Sequence, residues 1–221
     1  QQAITFGDTI KFTDQISVLV AASQSWIEAR NINRTGQVTS SYKDDGISPT
    51  ASLMIKPREN MTAYLTYASS LQQGDAAPAT AANAGEALAP YRSKQWELGY
   101  KLNIDRIAFA VAVYQIERPY AFVGSDNIFR ERGRQRNRGV EFSANGRVTQ
   151  NLNIFAGVSF MDPKLFDTGS ALTSDKQILG LPKLSFNLLT EYRLPMVPQV
   201  TVSADVGHVS QRPGNFSNTD M

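Results

Sequence analysis

The stretch SKQWELGYKL, Ser93 to Leu102, puts Trp96, Leu98, Tyr100 and Leu102 on one parity and Gln95, Glu97, Gly99 and Lys101 on the other. A period of two describes a strand with one apolar and one polar face. The same alternation runs through LNIFAGVSF, where Leu152, Ile154, Ala156, Val158 and Phe160 oppose Asn153, Phe155, Gly157 and Ser159. In KLSFNLLTEYRL, Leu184, Phe186, Leu188, Tyr192 and Leu194 oppose Lys183, Ser185, Asn187, Glu191 and Arg193. QVTVSADVG sets Val200, Val202, Ala204 and Val206 against Thr201, Ser203 and Asp205.

Extended to the whole chain, this pattern predicts an all-β protein of about ten strands, roughly 2–12, 16–29, 47–57, 61–70, 93–102, 106–117, 136–147, 152–162, 178–194 and 199–211. Short polar turns fall at 13–15, 58–60, 103–105, 149–151 and 195–198, and long loops at 30–46, 71–92, 118–135 and 163–177. Tight and long connections therefore alternate, so the unit is a hairpin with one closed and one open end. A transmembrane barrel has this asymmetry, with strands of ~9–11 residues. A soluble sandwich has no reason to collect its long loops at one end. Trp26, Tyr67, Trp96, Tyr100, Phe142, Phe160 and Tyr192 share the apolar parity, as interfacial aromatics do, although aromatics favour any strand. The alternative is a soluble β-rich interaction or carbohydrate-binding domain, with short loops at both ends and no need of detergent.

Composition excludes several classes. The 22 basic and 20 acidic residues nearly cancel across 221 residues. FRERGRQRNRGVEF, Phe129 to Phe142, nevertheless carries arginine at 130, 132, 134, 136 and 138. A dedicated nucleic-acid binder is basic throughout, so no nucleic-acid partner is expected. There is no cysteine, hence no disulfide or thiolate metal site. The single histidine, His208, reads as a surface or packing residue, and no P-loop, G-x-G-x-x-G or G-x-S-x-G pattern occurs. KDDG, Lys43 to Gly46, reads as a turn rather than a calcium loop. No enzyme is expected, and no cofactor or bound metal. No segment approaches the ~18–20 apolar residues of a membrane helix, which leaves a membrane β-barrel open.

Three segments carry a resemblance: GEALAPYRSKQWELGYKL (Gly85 to Leu102), YQIERPYAFVGSDNIFRERGRQRNRGVEFSANGRV (Tyr114 to Val148) and ILGLPKLSFNLLTEYRLP (Ile178 to Pro195). In order and spacing they resemble the C-terminal barrel of TonB-dependent siderophore receptors, those for ferrichrome and related hydroxamates above all. Tyr91–Lys101 and Arg136–Phe142 are the more specific parts. The resemblance implies a piece of a 22-stranded up-and-down barrel in the bacterial outer membrane. It implies import of ferric siderophores with energy passed on by the TonB complex. The ten strands would fall near the tenth to the nineteenth. The plug, the TonB-contacting N-terminal region and the last strands would lie outside 1–221, and iron would enter only as chelated cargo. A ten-stranded piece has two open edges, so alone it is expected to aggregate or need detergent.

In this reading Leu98, Val111, Val113, Val158, Leu188 and Val202 face lipid. Glu97, Lys101, Glu141, Ser143, Asn153, Asn187, Glu191 and Thr201 line the lumen. A compact, oxygen-rich siderophore calls for aromatics and a few donors. The candidate contacts, placed on the long loops, are Tyr91, Arg92, Tyr120, Phe122, Phe129 and Arg130. Arg134, Arg136 and Arg138 share parity with Val140, Phe142 and Ala144. On a regular strand they point outward, toward lipopolysaccharide phosphates. A bulge at Gly139 would turn them to the lumen mouth.

Overall fold

The computed structural model describes residues 1–169 and 173–220. The strands are β1 (Gln2–Lys11), β2 (Ile16–Ile32), β3 (Val38–Ile55), β4 (Met61–Gln72), β5 (Tyr91–Ile104), β6 (Ile107–Val123), β7 (Phe129–Arg147), β8 (Leu152–Phe166), β9 (Leu184–Arg193) and β10 (Thr201–Val209). They form one antiparallel sheet in sequence order, each strand paired with its chain neighbours. The sheet is open, with β1 and β10 paired on one side only. Among the described residues no helix is long and apolar enough to cross a membrane.

Register carries the parity across the sheet. Leu65 pairs with Leu98, Leu98 with Val113, Val113 with Val140, and Val140 with Phe160. One step away run Tyr100, Val111, Phe142, Val158 and Phe186. All belong to one face, and that face is uncovered: Leu98 is 58% exposed, Val113 51% and Phe160 50%. A continuous apolar face of this size is untenable in water and natural against lipid. No second sheet packs on it among the described residues, which removes the sandwich.

The opposite face is polar and close-packed. Tyr64 pairs with Gly99, and its hydroxyl donates to Glu97 Oε1 at 2.7 Å. Tyr114 pairs with Gly139. A Cβ at Gly99 would lie 2.2 Å from the Tyr64 ring, and one at Gly139 2.5 Å from the Tyr114 hydroxyl. These glycines therefore make room for two tyrosines lying across the wall.

The five tight turns fall where the sequence places them, and local hydrogen bonds set two of them. Thr13 Oγ1 accepts from the Ile16 N–H at 3.0 Å, and Thr149 Oγ1 from the Leu152 N–H at 3.1 Å. The two-residue turn between β5 and β6 uses Asp105 at φ 50°, a conformation Asp tolerates.

At the other end the sequence reading needs correction. Strand β3 begins at Val38, not 47, and β7 at Phe129, not 136, while β6 runs on to Val123 and β8 to Phe166. Lys43–Gly46 is strand, not turn. Most of the expected loops 30–46 and 118–135 are thus hairpin arms, and Tyr120, Phe122, Phe129 and Arg130, like Tyr91 and Arg92 at the start of β5, lie on strands rather than loops. The arms project beyond the apolar band, so no lipid-facing parity marks them. Conversely, 178–183 precede β9 as irregular chain.

The segment between β4 and β5 is strapped onto these arms. Asn83 Nδ2 donates to the Phe129 carbonyl at 2.8 Å and its Oδ1 accepts from the Phe129 N–H at 2.9 Å, replacing a strand partner. The Gly85 carbonyl accepts from Ser40 Oγ at 2.6 Å. Beneath lies a small apolar core of Ala77, Ala81, Tyr91, Ala121 and Phe129.

Three outcomes test this architecture. Val111→Arg and Val158→Arg should each cost about 2–4 kcal/mol near the bilayer midplane, and Ser143→Arg on the polar face far less; equal costs in folding titrations into vesicles would reject the faces. Asn83→Ala leaves two Phe129 backbone groups unpaired, a penalty of about 1–3 kcal/mol, so cleavage within 73–90 and exchange of the Phe129 amide should both rise. Tyr91 is 3% exposed, and burial, with the nearby Asp75 carboxylate, pushes its hydroxyl from 10.0 up to about 12. The neutral phenol is the form the fold favours. Its contribution is therefore complete below pH 10 and lost as pH rises toward 12. The strap should loosen over that window, and Tyr91→Phe should abolish the Tyr91-dependent part of the transition.

Candidate functional site

Above the polar wall, at the long-connection end, a cleft of about 610 Å³ opens between the β6–β7 arm and the segments that fold over it. Tyr120, Phe122 and Phe129 line it from the strands, Asp75 from the strap, Thr168 from the β8–β9 connection, and Phe216 from the chain after β10. Tyr120 and Phe122 stack with ring centroids 5.9 Å apart, and Phe216 meets Tyr120 edge-on at 6.3 Å. The stack arises because Tyr120 and Phe122 are two residues apart on one strand and so share a face. Burial, with the Asp75 charge adding to it, raises the Tyr120 hydroxyl above its ordinary value, while Arg118 opposes this. Tyr120 is thus a neutral hydrogen-bonding group at ordinary pH.

The tail holding Phe216 is fixed from below. Asn218 Oδ1 accepts from the Gln177 N–H at 2.6 Å, and Asn218 Nδ2 donates to the Gln177 carbonyl at 3.1 Å. The result is an aromatic-walled recess with a carboxylate and hydroxyls at its edge, chemistry suited to a compact ligand with apolar surface and many oxygens. Among the described residues no three His, Cys, Asp or Glu side chains gather to hold a metal ion.

Of the six candidate contacts, three meet here: Tyr120, Phe122 and Phe129. Tyr91 lies in the apolar core beside the cleft. Arg130 and Arg132 both grip Asp126 at the tip of the β6–β7 hairpin, Arg132 Nη2 at 2.6 Å. Arg92 has the parity of Trp96, on the outward face. Strand β4 pairs with β3 only up to Thr50↔Ala68. In the fork beyond, Arg92 Nη1 donates to the Ile47 carbonyl at 2.7 Å and to Ser69 Oγ at 3.3 Å. Asp75, Thr168 and Phe216 escaped sequence reading because they sit in aperiodic segments, where no pattern tells which side chain turns inward.

The arginine run is resolved by register. Pairing of β6 with β7 is unbroken from Ile107↔Gly146 to Tyr120↔Gly133, and shifts only after Tyr120. There is no bulge at Gly139, so Arg134, Arg136 and Arg138 keep the outward parity of Val140 and Phe142. Arg136 lies over the Phe166 ring, 3.7 Å from its centroid.

Comparison with known proteins agrees with this architecture. Residues 1–220 match the family described as TonB dependent receptor-like, beta-barrel. The chain is 26% identical, over 98% of its length, to the ferrichrome receptor FcuA of Yersinia enterocolitica. Among solved structures it superposes on BauA, the ferric preacinetobactin receptor of Acinetobacter baumannii, with a TM-score of 0.76 at 26% identity over 98% of the chain. It also superposes on the siderophore receptor PiuA of the same organism, with a TM-score of 0.80 at 21% identity over 99% of the chain. It spans 30% of FcuA, 33% of the BauA chain and 34% of the PiuA chain. Barrels of this kind reside in the bacterial outer membrane, where the uncovered apolar face finds its solvent. With ten up-and-down strands, a lipid-suited outer face and a matching family profile along almost its whole length, the chain belongs to the TonB-dependent receptor β-barrel family.

Proposed function

We propose that this chain is one partial barrel domain, 1–221, of an outer-membrane receptor that binds ferric siderophores at the cell surface and imports them with TonB-transmitted energy. The observation that carries the reading is the aromatic cleft of Tyr120, Phe122, Phe129 and Phe216, set above a polar inner wall. A ligand leaving it inward meets Glu97, Glu141 and Ser159 rather than lipid; Ser159 Oγ donates to Glu141 Oε1 at 3.3 Å.

Relatedness to a ferrichrome receptor supports a hydroxamate-type siderophore as the ligand class. Its iron is already chelated, so the cleft recognises the carrier and supplies no ligand to the metal. No cofactor and no catalytic group enter this reading, which makes the chain a receptor wall rather than an enzyme.

The test uses the complete receptor, with ferrichrome as the probe and a ferric catecholate as the comparison. Tyr120→Ala and Phe122→Ala should each weaken ferrichrome binding by about 2 kcal/mol, the scale of an aromatic anchor, and reduce uptake with it. Unchanged affinity and uptake in both variants would remove the cleft from the binding site. Stronger binding of the catecholate would overturn the hydroxamate assignment while leaving the receptor reading intact.

A further inference from the structure

The aromatic cleft carries one charge of its own. Among the described residues that line it, Asp75 is the only carboxylate, and no Lys, Arg or His joins it. The strap fixes its place. The Asp75 carbonyl accepts from the Leu88 N–H at 3.0 Å, next to the bridge between Ala76 and Ala87. The neck closes at Gly74, where a Cβ would lie 2.2 Å from the Ala89 carbonyl oxygen.

Asp75 is exposed and forms no salt bridge among the described residues. The cations of the neighbouring arm are committed elsewhere. Arg130 and Arg132 are both held by Asp126 at the hairpin tip. Arg118 donates from Nη2 at 2.6 Å and from Nε at 2.8 Å to the Gln135 amide oxygen. The groups that feel Asp75 are the Tyr91 and Tyr120 hydroxyls, which its charge raises. At Tyr120 it outweighs the opposing Arg118. Neither phenol brings a positive charge, so the cleft is electronegative although the chain has a formal net charge of +2.

A ligand that fills this cleft of about 610 Å³ strips water from its lining, Asp75 included. A neutral ligand would leave the carboxylate dehydrated and unpaired, which is costly. An ammonium group on the ligand removes that cost, because it pairs with the carboxylate and is attracted to ring faces. Tyr120 and Phe216 meet at 62°, so the cleft presents rings in two orientations beside the charge. We propose that Asp75 is a charge-selecting residue, and that the preferred ligand is a ferric hydroxamate bearing a protonated primary amine rather than a neutral one. The inference rests on the reading of the cleft as a siderophore site and adds to it the charge of the ligand. By the same sign Asp75 disfavours an anionic ferric complex, so one side chain both attracts and excludes.

The experiment measures the affinity of the complete receptor for two probes with the same hydroxamate core. Ferrioxamine B bears a free primary amine; in its N-acetyl derivative that amine is an uncharged amide. The parent should bind ferrioxamine B about tenfold more tightly, the scale of one charge-assisted hydrogen bond. In Asp75→Asn the ratio should fall to about one, mainly through weaker binding of ferrioxamine B. Glu131→Gln removes a carboxylate of the β6–β7 arm that does not line the cleft, and should keep the parental ratio. Equal affinity of the parent for the two probes would overturn the proposal, as would a parental ratio that persists in Asp75→Asn. An equal fall in Glu131→Gln would trace the preference to the general field of the arm and overturn the assignment to Asp75. Ferrichrome binding by Tyr120→Ala keeps the two readings apart. If that binding is weakened while the parent's probe ratio is one, the siderophore cleft stands and charge selection falls. If neither ferrichrome nor the two probes depend on Tyr120, the cleft itself falls and this proposal with it.

Discussion

Inside a bilayer no water is available to satisfy an unpaired N–H or C=O, so each strand must find its partners in its neighbours. That constraint fixes this molecule. The ten strands pair in chain order, and each turn at the closed end is short enough to bring the next strand straight back. Once pairing is continuous, pleating assigns every second side chain to lipid and the others to the interior. The even residues of β5 and the odd residues of β6 are then bound to face the same way, as Leu98↔Val113 shows.

Depth along the strands supplies the second coordinate. On the outward face an apolar band gives way to one row holding Tyr67, Trp96, Gln115, Arg138 and Asp162, with Tyr67 and Trp96 in contact at 4.9 Å, and then to Lys94, Glu117, Arg136 and Lys164. The inward face passes from Tyr64, Glu97 and Glu141 to the aromatic cleft around Tyr120. One sheet therefore presents a lipid surface and a ligand path back to back. Neither interferes with the other, because a residue cannot change face without a register shift. The single shift within β6–β7 falls at the cleft itself, between Tyr120 and Ala121 with Arg132 as the extra residue, where the arm has left the membrane.

How much of this could be read from the residues depended on where two environments differ. Trp96, Leu98, Tyr100 and Leu102 stand in lipid while Glu97 and Lys101 do not, so β5 is legible at a glance. The same strand type between Val38 and Gly46 lies beyond the apolar band; it carries Ser40, Lys43 and Asp44, and reads as loop. Arg130, Arg132 and Arg134 read as loop for the same reason, and the facing of Arg134, Arg136 and Arg138 stays open in the sequence until register excludes a bulge at Gly139. Arg92 reads as a ligand contact on a long loop, and its engagement with Ile47 and Ser69 depends on a fork between β3 and β4 that only tertiary structure reveals. Phe216 escaped because a chain fold-back, not a strand, delivers it to Tyr120.

The central claim is the assignment of faces, and the two tryptophans allow it to be measured directly, since Trp26 and Trp96 are the only ones in the chain. In the receptor reconstituted into bilayers, with Trp26→Phe and any tryptophans outside this segment replaced, lipids brominated near the headgroup end of their acyl chains should strongly quench Trp96. Moving the indole by one residue, with Trp96→Phe and Glu97→Trp, should remove most of that quenching, because the side chain then enters the lumen. Equal quenching at 96 and 97, or stronger quenching at 97, would contradict the account.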